Sequence, residues 1–161
     1  MKTRKALQSD RDQLIKLNIE FNKYTQAHLS PALAKMRASK DIQKKAEDNI
    51  DKDLSEANYF TYVAEKNGKL CGYICGEIIE KKHNVYDKEG YIKNWFVEEE
   101  FQSKGIGRQL FNILINEFKK QDCTHLALDT NVENKKAIEI YEKNGFKKRL
   151  FVFFKPLKDL N

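Results

Sequence analysis

Apolar positions recur at two different periods along this chain, and the change of period divides it. Over the first third the spacing is helical. Leu14, Leu17, Phe21 and Tyr24 fall three or four residues apart, predicting a helix over about 10–25. Asp10 and Gln13 stand at capping-box spacing in front of it. Ser30-Pro31 opens a second helix, because proline suits the first helical position. Ile42, Ala46, Ile50 and Leu54 line one face of a third segment, about 41–56, whose surroundings are charged, as in a surface layer. Residues 2–7 read as a short strand ahead of these helices.

The period then shortens. YFTYVAEK and KLCGYICGEII flank Asn67-Gly68, the signal of a type I′ hairpin. Gly72 and Gly76 inside the second strand predict a bulge or the close approach of another backbone. Residues 80–88 read as a connection and GYIKNWFV, 90–97, as a strand. GIGRQLFNILINEFKK is an amphipathic helix with Ile106, Leu110, Ile113, Leu114 and Phe118 on its buried side. HLALDT, 125–130, is a strand, and NKKAIEIYEKN a short helix ended by Gly145. FKKRLFVFFKPL supplies one or two final strands. Antiparallel strands followed by strand–helix–strand require a parallel crossover within a mixed sheet. The expected fold is α/β: one domain over residues 1–161, a mixed sheet with helices on both faces.

Composition narrows the setting. A hydrophobic share of 40% and a charged share of 34% are those of a globular chain. No apolar run of 18 residues exists and the N-terminus lacks an apolar h-region, so neither a membrane span nor a secretory signal is expected. Cys71, Cys75 and Cys123 are too few and too scattered for a disulfide framework, pointing to a reducing, cytoplasmic setting. His28, His83 and His125 lack ligand spacing, so no metal is expected. The net charge of +6 equals that of the stretch 143–158, which holds six basic residues and no acid. Such an end could meet nucleic acid, but no nucleic-acid motif accompanies it, and a solvated face is the commoner outcome.

Candidate chemistry begins at QSKGIG, 102–107. A strand ending at Val97, a glycine turn and a helix start make an anion site, because the first N–H groups of a helix lack internal partners and the macrodipole favours negative charge there. Gly105 and Gly107 remove Cβ atoms from the approach, and Lys104 and Arg108 add charge. A Walker loop is absent, and the dinucleotide fingerprint fails at Leu110. These six residues alone fit a phosphate site and a plain tight turn equally well. A second motif follows. Asn134, Ala137 and Tyr141 share one helix face, and Gly145 and Phe146 have the spacing of a Schellman cap that would bring Phe146 onto Tyr141.

Together, [QR]xxGx[GA] at Gln102-Ser103-Lys104-Gly105-Ile106-Gly107 and NxxAxxxYxxxGF at Asn134–Phe146 give segment 91–146 a resemblance to the GNAT superfamily of acyl-CoA-dependent N-acetyltransferases. The resemblance implies transfer of an acetyl group from acetyl-CoA to a primary amine by direct attack on the thioester. The other reading is a CoA-binding domain with little catalysis. The resemblance also implies a mostly antiparallel sheet split around a central parallel strand pair, 90–97 and 124–130, with the pantetheine arm lying in the split like an added strand. Phe96 and Val97 would offer backbone to the arm, with the Val97 N–H as oxyanion donor. Gln102, Ser103, Lys104, Gly105, Ile106, Gly107 and Arg108 would hold the pyrophosphate. Asn134 and Ala137 would lie along the arm, and Tyr141 would protonate the leaving thiolate. Relatives often carry a carboxylate on the strand before the loop, where this chain has Lys93 and Asn94. Glu77 and Asp129 are the remaining base candidates, each equally readable as an ordinary exposed acid. Expected partners are a small-molecule or peptide amine, with no nucleic acid and no membrane. A dimer is common in the family, and LFVFF would supply its edge.

Overall fold

The computed structural model describes residues 1–155 and 157. Its elements are β1 (Lys2–Lys5), α1 (Arg11–Ala27), α2 (Pro31–Arg37), α3 (Ile42–Ser55), β2 (Tyr59–Lys66), β3 (Lys69–Glu80), β4 (Lys88–Val97), α4 (Ile106–Lys120), β5 (His125–Leu128) and α5 (Lys135–Lys143). The five strands form one sheet in chain order, antiparallel throughout except for the parallel pair β4–β5. Asn67 and Gly68 both have positive φ, 51° and 78°, as the β2–β3 hairpin turn requires. The bulge expected in β3 falls at Cys71, opposite Ala64 and Glu65, and a second irregularity opposite Cys75 and Gly76 leaves Lys93 of β4 as the extra residue.

Helices cover both faces. Leu14, Leu17, Ala46 and Ile50 of α1 and α3 pack on Val63, Leu70, Tyr73 and Phe96. On the other face, Ile106, Leu110, Phe111, Leu114 and Phe118 of α4 pack on Phe60, Tyr62, Ile74 and Val97. The α4 stripe is rotated slightly from expectation: Phe111 is buried and Ile113 only half-buried.

Two expectations are corrected. Asp10 does not cap α1. Its carboxylate accepts instead from the Arg4 guanidinium at 2.7 and 2.9 Å and from the Leu7 N–H at 2.8 Å, tying β1 to the helix start. Gln13, its supposed partner, accepts from the Leu70 N–H at 2.9 Å. The final strands are also absent among the described residues: 147–155 are exposed and irregular, and β5 is the sheet edge. An apolar run forms a strand only where it pairs with a neighbouring edge, and residues 150–155 make no hydrogen bond to the described residues.

Candidate active site

The site is built on the place where β4 and β5 part. Their pairing runs from Glu89↔His125 to Ile92↔Leu128 and stops. Residues 93–97 of β4 continue alone on that side for about 16 Å. The ladder with β3 fixes which groups face the gap. Glu98 donates its N–H to Cys71 O at 3.0 Å. In an antiparallel ladder the bonded pairs alternate, so Tyr73/Phe96 is bonded and Gly72/Val97 is not. The amides of Trp95 and Val97 therefore point away from β3, into the gap. This corrects the expectation for Phe96. Its backbone is turned toward β3, and its ring lies against Phe21 and Tyr24 of α1, at 5.8 and 6.3 Å.

At the open end of β4 the chain turns through Ser103 (φ 60°) and Gly105 (φ 79°) into α4. A Cβ on Gly105 would meet nothing within 4 Å, so the residue borders open space. The left-handed backbone there favours glycine. Behind it stand the N–H groups of the first turn, free of intrahelical partners. Gly107 packs against Trp95, whose indole Nε1 donates to Gly107 O at 3.1 Å. Gln102 locks the turn to its surroundings: Nε2 donates to Val97 O at 2.9 Å, and Oε1 accepts from Lys136 Nζ of α5 at 3.0 Å. Lys104 Nζ is turned onto Glu100 O, at 2.7 Å.

Helix α5 closes the other side. Asn134 caps it, Oδ1 accepting from the Ala137 N–H at 3.2 Å. The far end is a Schellman motif, with Phe146 N–H bonded to Tyr141 O at 3.1 Å and Gly145 N–H to Glu142 O at 3.0 Å. Tyr141 stands between the Phe146 and Trp95 rings, each centroid 6.2 Å away. Burial, with a smaller contribution from the Asp129 charge, holds its phenol above the ordinary value. Its hydroxyl makes no hydrogen bond to the described residues.

The two base candidates separate here. Glu77 lies on β3 opposite Tyr59 and Tyr91. Asp129 follows β5 at the closed end of the gap, where its Oδ2 accepts from the Tyr91 hydroxyl. Burial first, then this carboxylate, raises the Tyr91 pKa. Tyr91 escaped the sequence reading because an aromatic on a strand reads as core; only the β4–β5 register, pairing Tyr91 with Ala127, brings it to Asp129. Lys93, on the strand before the loop, pairs with fully buried Asp53 of α3 at 2.6 Å and lies over the Tyr59 ring at 4.4 Å. Burial alone would lower the Lys93 pKa; the ion pair outweighs it and the net shift is upward. On the α1 face, Glu20, Tyr24, Phe96, Glu98 and Glu100 line a cleft of about 580 Å³. The Glu98 side chain is 13% exposed, lies 3.3 Å from Lys69 Nζ, and its Oε2 is buried without a hydrogen-bond partner.

A split sheet edge, a glycine-led helix start and a fixed tyrosine together suit an extended phosphate-bearing thioester. The model of the Acetyltransferase (GNAT) family matches residues 23–146. The chain belongs to this family. It is a GNAT acetyltransferase that uses acetyl-CoA and acts on an amine. Among its relatives is N-alpha-acetyltransferase 30 of Saccharomyces cerevisiae, 33% identical over 123 residues, which cover 65% of this chain and 70% of the relative. The Homo sapiens protein of the same name is 33% identical over 118 residues, covering 65% of this chain and 33% of its own length. The GNAT chain thus spans about a third of the human relative. A predicted acetyltransferase from Clostridium acetobutylicum, solved with acetyl-CoA, shares the fold at a TM-score of 0.75 and 19% identity, covering 97% of this chain and 96% of that one. Among the described residues no helix is long and apolar enough to cross a membrane.

Proposed function

We propose that this GNAT enzyme acetylates the free α-amino group of a polypeptide. The observation that carries the reading is the gap beside residues 93–97 of β4, with Asp129 at its closed end and Tyr141 on its flank. Acetyl-CoA supplies the activated acetyl thioester. The first-turn N–H groups of Ile106, Gly107 and Arg108, opened by Gly105, receive its pyrophosphate. The amides of Trp95 and Val97 bond the pantetheine arm. The Val97 N–H, whose own carbonyl is already taken by Gln102, serves as the donor to the thioester oxygen. Asn134 keeps its Nδ2 for the arm while Oδ1 caps α5. Tyr141, protonated at neutral pH, donates to the leaving thiolate.

The acceptor follows from the base. A lysine-type amine, with a pKa near 10.4, is only about one part in a thousand neutral at pH 7.4, whereas an α-amine near 7.7–8.0 is roughly a fifth to a third neutral. This chain has no acid at 93–94, and its one carboxylate at the gap is shared with Tyr91. Such a site suits an amine that needs little help to lose its proton. The names of the yeast and human relatives, both N-alpha-acetyltransferases, agree. The acidic cleft on the α1 face offers entry to a cationic N-terminus. The three cysteines are unpaired, in keeping with a reducing, cytoplasmic setting.

The test is thiol release from acetyl-CoA with two forms of one lysine-containing peptide. The form with a free N-terminus is expected to turn over, with mass spectrometry placing the acetyl group on the α-nitrogen. Equal turnover of the form with a blocked N-terminus would overturn the α-amine assignment.

A further inference from the structure

One buried ion pair stands beside the gap without a part in the chemistry. The Asp53 side chain of α3 has no exposed surface, and only one of its oxygens is answered. Oδ1 accepts from Lys93 Nζ at 2.6 Å, while Oδ2 has no hydrogen-bond partner. Cys75 lies beside the pair as a neutral thiol, its pKa pushed up by burial and then by the Asp53 charge. The Tyr59 ring packs against the ammonium, its centroid 4.4 Å from Nζ. A buried pair of this kind adds little to stability, because apolar side chains of similar volume serve as well without the desolvation cost. What it supplies is a fixed place for one ammonium, and so for the strand that carries it.

Two irregularities of β4 coincide at that ammonium. On one side, the ladder with β3 passes from Ile92↔Gly76 to Asn94↔Cys75 and leaves Lys93 as the extra residue. On the other, the pairing with β5 ends at Ile92↔Leu128. A bulge bends its strand and increases the twist, so β4 turns away from β5 directly after Ile92. The same bulge could form one residue later, with Lys93 facing Cys75 and Asn94 left over. The registers before and after it would be unchanged, and Trp95 and Phe96 would keep their faces. The parallel ladder would then advance to its next rung, Lys93 against Asp129. Of the two residues, Lys93 is the one that α3 holds. We propose that the Asp53–Lys93 pair fixes the bulge at Lys93 and thereby sets where the gap opens, which makes both of them positioning residues for Asp129. The inference rests on the proposed function, in which Asp129 stands free at the closed end of the gap to take the acceptor's proton.

The test replaces both charges at once. Asp53→Leu with Lys93→Met removes the pair without leaving a lone buried charge, and Asp53→Ala with Lys93→Met does the same where leucine overfills the site. The folded double variant is expected to melt at or above the parent's temperature. Without any ligand, nuclear Overhauser contacts should appear between positions 93 and 129. With acetyl-CoA and a peptide bearing a free N-terminus, kcat should fall at least about tenfold, as when a positioned base is displaced. The affinity for acetyl-CoA should change little, because the amides of Trp95 and Val97 still face the gap. A folded double variant whose contacts around position 93 match the parent's overturns the proposal, whatever its turnover. So does one that shows the new contact and turns over as the parent does. A parent protein that leaves the peptide unacetylated would sink the α-amine reading instead. The contact measurement needs no acceptor, so it would still decide where the bulge sits.

Discussion

Tyr141 is fixed from two directions, and that makes its hydroxyl informative. Trp95 and Phe146 hold the ring, while Trp95 itself stacks on Phe111 at 4.7 Å and 10°. Tyr141→Phe therefore removes the proposed proton donor with little change in packing. A positioned acid contributes roughly 10²–10⁴-fold, so kcat is expected to fall by about two to four orders of magnitude with acetyl-CoA affinity nearly unchanged. Steady-state kinetics and calorimetry read the two separately; turnover within about twofold of the parent would leave solvent as the proton source. Asp129 is tested by the shape of a pH profile. Asp129→Asn should depress kcat/KM most at low pH, where the acceptor amine is chiefly protonated, and least above about pH 8, where an α-amine is neutral unaided. At this scale the sequence was readable where chemistry follows local spacing: Asn134, Tyr141 and Gly145 form one helix and its caps. It was silent where partners lie far apart. Asp53 and Lys93 are 40 positions apart, and Tyr91 and Asp129 are 38 apart, so the first pair exists only through the packing of α3 on the sheet and the second only through the β4–β5 register.

Among the elements, the start of α4 is the proposed seat of the pyrophosphate. Gly105 has φ 79° and open space where its Cβ would stand. Gly105→Ala costs about 1–2 kcal/mol of backbone strain and places a methyl where a phosphate oxygen would approach. CoA affinity is expected to fall at least tenfold in a protein that still melts cooperatively; unchanged affinity in the folded variant would remove the loop from the site. The joint between β1 and α1 governs acid stability instead. The Arg4 guanidinium, and after burial's opposing effect the Leu7 N–H, hold the Asp10 carboxyl below its ordinary value. A depressed folded pKa means the stabilisation is fully present above the unfolded pKa, near 3.9, and is lost as pH falls through the folded value. Asp10→Asn should cost about 1.5–3 kcal/mol at neutral pH. The variant's unfolding free energy should also change less between pH 5 and pH 2 than the parent's. Helix existence was predictable from period alone, but this joint was not, because capping spacing at Asp10 and Gln13 is identical whether or not an arginine six residues upstream claims the acid.

For the molecule as a whole, the sheet is an open structure with a gap that, on the proposed function, an extended ligand completes. Alternation of apolar residues, the Asn67-Gly68 turn and the β4–α4–β5 crossover made that architecture legible, since each depends on neighbours in sequence. The last apolar run looked like a strand for the same reason and is not one among the described residues, because a strand needs a paired edge and local pattern does not say whether an edge will be paired. The gap has a thermodynamic consequence. A ligand that binds only the folded state adds RT ln(1 + [L]/Kd), about 2.7 kcal/mol at a hundredfold excess over Kd. For a chain of this size, 1 kcal/mol moves Tm by about 2–4 °C. Saturating CoA should therefore raise Tm by roughly 5–11 °C, and hydrogen exchange should locate the added protection at residues 93–97, the start of α4 and the approach to Asn134. Free adenosine bisphosphate lacks the arm, so it should protect the α4 start while leaving 93–97 exchanging as in the free protein. Equal protection of residues 93–97 by both ligands would mean that the gap closes without pantetheine in it. The split in the sheet would then be a hinge of the fold rather than the seat of the thioester.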